Sequence, residues 1–151
     1  MKQPSKPAKK KIAKPGLDPN LSKITLGKIA DEIRIENSLL SNCNFAGQKA
    51  KGLIFDSVRV KNVKLTNSEL HKLEATDAIF ENCDLANADL SKAVFYRTEF
   101  LECRITGFKT IEATFRDVIF KGCKGEMAQF RMSGFKNVKG GGTSYGTRPS
   151  I

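Results

Sequence analysis

An apolar residue recurs at every fifth position of this chain for about a hundred residues. The register reads Ile35, Leu40, Phe45, Ala50, Phe55, Val60, Leu65, Leu70, Ala75, Phe80, Leu85, Leu90, Phe95, Phe100, Ile105, Thr110, Phe115, Phe120, Gly125, Phe130 and Phe135. Only Thr110 and Gly125 in it are not apolar. An α-helix repeats every 3.6 residues and a strand every 2, so neither brings such residues onto one face. The period therefore indicates a repeating unit larger than a single helical turn or strand pair.

A second row lies two residues before the first and consists mostly of small side chains. The remaining three positions of each five contain nearly all the charge and most of the Asn and Gly, as expected for a solvent face and a turn. The register continues without insertion from Ile33 to Val138. Such regularity predicts one continuous repeat domain whose apolar rows face inward.

The best-formed units lie in the middle of the chain. They are "CDLAN" (83–87), "ADLSK" (88–92), "AVFYR" (93–97) and "TEFLE" (98–102). This pattern resembles the pentapeptide-repeat family, whose unit is a small residue, Asp or Asn, a central Leu or Phe, and two polar residues. The resemblance implies an all-β fold, a right-handed quadrilateral parallel β-helix (a solenoid) of about five coils of twenty residues.

The four cysteines independently favour a period of twenty. Cys43, Cys83, Cys103 and Cys123 are separated by multiples of twenty, and Val63 occupies the vacant place in that series. All belong to the small row, where a thiol acts as a compact apolar filler. Zinc sites prefer close CxxC pairs and histidine, which are not found near these positions. We therefore expect an interior ladder, with no bound metal or other cofactor and no disulfide.

Two small residues of the central row are compensated by a large residue in the other row. Where the central residue shrinks to Ala75 or Thr110, the preceding small-row position grows to Leu73 or Phe108. Gly125 follows Cys123 and has no enlarged partner. The sequence thus predicts a packing defect or a distorted turn at Gly125.

Composition divides the chain into four parts. Residues 1–20 are rich in Lys and Pro and are predicted to be a disordered leader, while residues 21–32 are apolar enough to cap the first coil. Residues 33–138 form the β-helix, and residues 139–151 read as a flexible Gly-rich tail. No apolar segment follows to cover the last coil. We expect either that a second subunit covers it, giving a homo-oligomer, or that the chain is a piece of a longer solenoid.

The basic charge is concentrated in the leader. The formal net charge is +10, but eight lysines against one aspartate leave +7 on residues 1–30, while sixteen Lys or Arg against fifteen Asp or Glu leave +1 on residues 31–138. The leader is therefore either a solubilising tail or an arm that binds polyanions, and any such binding is expected to come from the leader alone, to be weak and to lack sequence preference. No apolar run is long enough for a membrane span or a signal peptide, which predicts a cytoplasmic protein.

Catalytic groups are hard to assemble from this sequence. His71 is the single histidine, at an outward position of the repeat beside Lys72. No Ser-His-Asp or Cys-His set can be formed without another histidine, and no glycine-rich phosphate loop precedes a helix. We accordingly predict no catalytic, cofactor-binding or metal-binding residues, and a protein that is not an enzyme.

Two functions are compatible with these features. The first is a non-enzymatic pentapeptide-repeat scaffold that presents flat β-helix faces for macromolecular interaction, with a protein partner expected. The alternative comes from the family resemblance: a DNA mimic that binds DNA gyrase and protects it from quinolones. A mimic needs a dense line of negative charge. The chain has one acidic stretch, in which Glu69, Glu74, Asp77, Glu81, Asp84 and Asp89 are accompanied only by Lys72, and basic residues flank it on both sides.

Overall fold

The computed structural model describes residues 11–126, 128–141 and 144–145. These residues form nine strands: β1 Ser22–Ile24, β2 Arg34–Ser41, β3 Ile54–Lys61, β4 Glu74–Glu81, β5 Val94–Leu101, β6 Thr114–Lys121, β7 Lys124–Gly125, β8 Gly134–Gly141 and β9 Ser144–Tyr145. Within the described part of the chain there is no helix that could span a membrane.

The strands stack in parallel at a constant offset. One sheet has the order β1-β2-β3-β4-β5-β6-β8, and β7 pairs with β9 in a second. From β2 onward each residue of the large sheet pairs with the residue twenty positions later, as Phe80 does with Phe100 and Phe100 with Phe120. The predicted all-β parallel β-helix is confirmed, with about six turns. The sequence suggested about five, and the difference arises because the last, incomplete turn still contributes β8.

The corners of the coil explain the polar part of the repeat. A left-handed backbone conformation recurs at every fifth described residue from Glu32 (φ 59°) to Asn137 (φ 55°). Glycine and asparagine tolerate this conformation best, which accounts for their frequency at this position. Corner side chains also contact each other along the stack, since Asn82 Nδ2 donates to Asn62 Oδ1 at 2.7 Å. Each side is therefore five residues long, and four sides complete a turn.

Phenylalanine rings fill the interior in stacked columns. The ring centroids of Phe80 and Phe100 lie 5.0 Å apart and those of Phe100 and Phe120 4.7 Å apart, with nearly parallel planes. The predicted burial of these three residues is confirmed. Leu73 and Phe108, predicted to compensate for small central residues, are also buried in the core. The five-residue period thus has a single physical cause: each side of the coil is five residues long and directs its central side chain into the interior.

Gly125 corrects one detail of the sequence interpretation. A Cβ atom at this position would lie 2.6 Å from the backbone carbon of Ile105 and 2.7 Å from the nitrogen of Thr106. The turn that contains Gly125 therefore lies so close to the preceding turn that no side chain larger than that of glycine fits here. Of the two expectations, a packing defect or a distorted turn, the close approach of the Ile105 and Thr106 backbone fits the second, and the missing side chain leaves no void.

The cysteines form the interior ladder that their spacing predicts. All four are buried and free. The thiols of Cys83, Cys103 and Cys123 donate to backbone carbonyl oxygens of the preceding turn, each at 3.3 Å. Hydrogen bonding with Cys103, together with burial, raises the pKa of the Cys123 thiol well above its ordinary value. The ladder is thus made of buried thiols, three of which donate hydrogen bonds to the preceding turn.

This arrangement predicts slow thiol chemistry in the folded protein. Burial shields all four thiols, and the raised pKa of Cys123 further suppresses its reactive thiolate. Ellman's reagent should therefore label none of the four cysteines within minutes in native buffer, and all four once the protein is unfolded in guanidinium chloride. Rapid labelling of even one native thiol, measured by absorbance and assigned by mass spectrometry, would contradict the buried ladder.

The N-terminal end of the coil is covered by residues that follow the leader. β1 pairs with the second half of β2, from Ser38 to Leu40. Ile29 is buried in the core, and its N–H donates to Gln48 Oε1 at 3.0 Å. Chain segments before the repeat thus supply both hydrogen bonds and apolar cover at this end.

The C-terminal end has a different structure. β8 pairs with β6 and continues past Val138 to Gly141, because Gly140 still follows the interior register opposite Phe120. Among the described residues no strand pairs with the outer edge of β8. An unpaired edge is a template for association. The homo-oligomer predicted at this end stays a prediction, as does flexibility in the parts of the tail that lie outside the described residues.

Candidate interaction surface

The coil presents four outward faces, which we number in chain order. Face 1 contains residues 33–37, face 2 residues 38–42, face 3 residues 43–47 and face 4 residues 48–52, each together with the segments that follow at intervals of twenty. Equivalent outward residues on successive turns lie ~4.8 Å apart, the spacing between neighbouring strands. Each face is therefore a set of straight side-chain columns parallel to the rod axis.

The acidic residues of the central turns form a ring around the rod. Glu69 and Asp89 lie on face 4, Glu74 and Asp77 on face 1, Glu81 on face 2 and Asp84 on face 3. Four of the six pair with Lys or Arg: Glu69 with Lys49 at 3.3 Å, Asp77 with Arg97 at 2.6 Å, Glu81 with Arg59 at 2.8 Å and Asp84 with Arg104 at 3.3 Å. The carboxylate of Asp89 lies 3.0 Å from His71 Nε2. The acidic stretch of the sequence is thus spread over all faces and largely neutralised within the fold.

Asp77 accepts three hydrogen bonds and contacts part of the leader. Arg97 donates to both of its carboxylate oxygens, at 2.6 and 2.9 Å, and the Gly16 N–H donates to Oδ1 at 2.9 Å. The Arg97 hydrogen bonds lower the pKa of Asp77, and the Gly16 N–H contributes in the same direction, against the opposing effect of burial. Two turns further on, the Ala13 N–H lies 3.4 Å from Asp117 Oδ1.

These contacts define the path of the described part of the leader. Asp117 and Asp77 are two turns, or ~9.6 Å, apart, which three extended residues span. Residues 13–16 therefore run along the rod toward its N-terminal end, opposite to the direction in which the coils grow. Ile12, Pro15 and Leu17 are half-buried along this path. Residues 1–10 lie outside the described residues, so their disorder and polyanion binding stay predictions.

Replacing Asp77 tests this junction. Asp77→Asn should lower the free energy of unfolding by about 1 kcal/mol at neutral pH, because it removes a charged acceptor of three hydrogen bonds. The folded-state pKa of Asp77 lies below its ordinary value of 3.8, so its stabilisation is present above that pH and is lost as the pH falls through the lowered pKa. Urea unfolding should show the difference from wild type shrinking as the pH falls below 3.8.

The matched control for this experiment is Glu99→Gln, at a half-buried residue of face 2 that makes no ion pair in the described part of the chain. It should leave the unfolding midpoint close to that of wild type. A difference between Asp77→Asn and wild type that grows on acidification would contradict the assigned role.

Basic residues are unevenly distributed among the faces. Face 4 carries six Lys or Arg against three Asp or Glu, whereas on each other face the two kinds differ by no more than one within residues 33–138. The six basic residues of face 4 are Lys49, Lys51, Lys72, Lys92, Lys109 and Arg131. Of these, only Lys49 makes an ion pair with another described residue. The small net charge of the rod thus conceals one positively charged side.

A shallow depression of about 400 Å³ lies in the N-terminal half of face 4. Its lining residues are Lys51, His71, Lys72, Asp89, Ser91 and Lys92. Burial by itself would raise the pKa of Asp89, but hydrogen bonds from Ser91 and His71 lower it below its ordinary value. The floor of the depression is therefore internally bonded, and the three lysines remain exposed around it.

The residues considered as candidate sites from the sequence fall into two groups. His71 is outward-facing as predicted, with its side chain about half exposed, whereas the cysteines face the interior. No group of three metal-binding side chains occurs among the described residues. The lysines of face 4 were missed because charge was summed over the whole rod. Their spacing was the available signal, since Lys72 and Lys92 are separated by one full turn of twenty residues.

A comparison with known protein families assigns the repeat. A family model described as "Pentapeptide repeat region" matches residues 73–144, and the described part of this segment consists of stacked five-residue sides. Residues 73–144 are therefore a pentapeptide-repeat region. The family resemblance inferred from the five-residue units is thereby confirmed. No curated protein sequence gave a significant match to this chain.

The solved structures to which this chain is similar include a pentapeptide repeat protein and a fluoroquinolone resistance protein. Rfr23, a pentapeptide repeat protein from the cyanobacterium Cyanothece 51142, is 12% identical with a TM-score of 0.41, and the alignment covers 76% of this chain and 89% of that chain. QnrB1, a plasmid-mediated fluoroquinolone resistance protein, was compared in its R167E, trypsin-treated form. It is 17% identical with a TM-score of 0.34, over 82% of this chain and 92% of that chain. At these sequence identities and TM-scores, neither similarity indicates a function for this chain.

Proposed function

We propose that this pentapeptide-repeat protein is a non-enzymatic cytoplasmic scaffold whose flat faces bind another macromolecule, with a protein partner on at least one of them. The observation that supports it is the arrangement of the outward side chains in straight columns along a rod whose interior is filled by apolar residues. Such a surface offers extended contact and no enclosed pocket for a small substrate. The four buried free thiols fit a reducing compartment.

The alternative, mimicry of DNA toward gyrase, is less well supported by the charge pattern. A DNA mimic needs unpaired negative charge along the axis, about one charge per ~1.7 Å for a duplex. Here the acids encircle the rod, and most are bonded to Arg, Lys or His of the same fold. Face 4 is in addition positively charged, so it would repel the positively charged DNA-binding surface of such an enzyme.

The two functions are separated by a direct titration. Purified protein should neither inhibit DNA supercoiling by gyrase nor restore supercoiling in the presence of a quinolone at stoichiometric concentrations. Dose-dependent inhibition by the full chain, relieved when Asp84→Asn and Asp89→Asn are introduced, would favour mimicry and overturn the scaffold proposal in its present form.

The scaffold itself is tested by photo-crosslinking from each face in the cells that express the chain. A photoreactive residue at Tyr96 (face 1), Glu99 (face 2), Thr106 (face 3) or Lys92 (face 4) samples one face each. We expect discrete, face-dependent adducts with macromolecules. An absence of adducts from all four faces, with the protein folded and abundant, would contradict an interaction scaffold.

A further inference from the structure

Three exposed lysines of face 4 follow the rod axis, one on each of three successive turns, with Lys51 one position out of step with Lys72 and Lys92. Lys51, Lys72 and Lys92 lie on three successive turns and surround the depression described above. Successive turns are ~4.8 Å apart, so the row presents one cation per turn. None of the three makes an ion pair with another described residue, whereas the arginines of the rod repeatedly pair with acids of neighbouring turns. The row therefore offers unneutralised charge in a fixed geometry.

The surroundings of the row restrict what it can bind. On one side lies the column that contains Glu69 and Asp89, and on the other, beyond the corner, lies Glu74. The positive strip is thus about one side chain wide, and a broad anionic plane would also meet these acids. Outward residues of face 4 on the first three turns include no large apolar side chain. Insertion into a lipid layer, which depends on buried apolar area, therefore has no support here.

The regular spacing favours an anion that is itself a regular chain. Phosphates follow one another at ~3.4 Å of axis per nucleotide along each strand of a nucleic acid, close enough for flexible lysine side chains on successive turns to contact successive phosphates. Among the outward residues of face 4 the only aromatic side chain is the imidazole of His71, which is bonded to Asp89. Base stacking is therefore not available, and contact would be limited to the phosphate backbone.

We propose that Lys51, Lys72 and Lys92 form a binding strip for the phosphate backbone of a nucleic acid, without base specificity. This inference rests on the proposed scaffold function and identifies one partner of one face. It also modifies the expectation that only the leader binds polyanions, because the strip belongs to the coil. Lys109 and Arg131 extend the positive face, although Glu112 interrupts the corner column that Lys72 and Lys92 share.

The test compares two full-length variants of equal net charge. Lys51→Gln/Lys72→Gln/Lys92→Gln removes the strip, and Lys61→Gln/Lys64→Gln/Lys121→Gln removes three exposed lysines of faces 2 and 3 that make no ion pair within the described residues. Both retain the leader, and circular dichroism and thermal melting verify that both are folded. Fluorescence anisotropy measures binding to a labelled oligothymidylate long enough to span the rod, over a series of salt concentrations.

The strip variant should bind roughly tenfold more weakly at low salt, and its slope of log K against log salt should fall by about 2, since each single-strand phosphate contact contributes about 0.7. The control should keep a slope close to that of wild type. The same measurement is repeated with a DNA duplex of the same length. An equal loss of affinity for the duplex would mean that the strip binds the phosphates of single-stranded and double-stranded DNA alike. Equal losses in both variants, or no binding by wild type, would overturn the proposal. Adducts from faces 1 to 3 in the crosslinking experiment would leave the scaffold function intact.

Discussion

Phe100→Ala is expected to lower the free energy of unfolding by about 3–5 kcal/mol, the range for a large side chain removed from a packed core. Phe100 is fully buried in the stack between Phe80 and Phe120 and also meets Phe95 and Phe108 edge to face. Its neighbours are fixed by the hydrogen bonds of their own turns, so they cannot move in to fill the cavity. Equilibrium unfolding in urea, followed by circular dichroism, measures the loss.

Two controls show whether the loss comes from the ring stack. Phe135→Ala deletes the same side chain at the end of a column, where it is half-buried and stacks on Phe115, and should cost clearly less. Lys92→Ala, at an exposed corner, should cost little. If Phe100→Ala and Lys92→Ala shifted the unfolding midpoint equally, the assignment of inward and outward columns would be wrong.

The period was sufficient to predict the interior rows because the repeat couples every residue to an equivalent one, whereas the β-helix itself was implied by the resemblance to the pentapeptide-repeat family. In a coil of fixed length, a residue such as Phe80 contacts Phe100 regardless of the rest of the chain, so periodicity alone determines the core. The same argument gave the cysteine ladder and the enlarged partners Leu73 and Phe108. These are properties of a column, and a column can be found by counting residues.

Features that depend on one turn alone were less accessible. The closure of the coil at Gly125 follows from backbone positions in a single turn. The path of residues 13–16 along the rod depends on the carboxylates of Asp77 and Asp117, which are far away in sequence. Prediction of the positive strip would have required each charge to be assigned to a face and the ion pairs to be known. The signal in the sequence was also weakened because Lys51 lies one position out of step with Lys72.

Gly125→Ala is the second substitution for which we expect a large effect. The added methyl carbon would lie 2.6 Å from the backbone carbon of Ile105 and 2.7 Å from the nitrogen of Thr106. These atoms belong to the neighbouring turn and are held by the inter-turn ladder, in which the Ile105 N–H donates to the Lys124 carbonyl oxygen at 2.7 Å. Relief of the clash therefore requires two turns to separate. We expect a loss of about 3 kcal/mol or more, at or beyond the upper end of overpacking effects.

Gly134→Ala provides the matched control, because a Cβ atom there meets nothing within 4 Å and the backbone is not left-handed. Its unfolding midpoint should stay near that of wild type or rise slightly, since alanine restricts the unfolded chain more than glycine. Comparable destabilisation in both variants would mean that glycine is required for backbone freedom throughout this part of the coil. A large loss for Gly125→Ala alone would show instead that the missing side chain lets the two turns close, and that the turn bearing Gly125 is fixed by steric contact with Ile105.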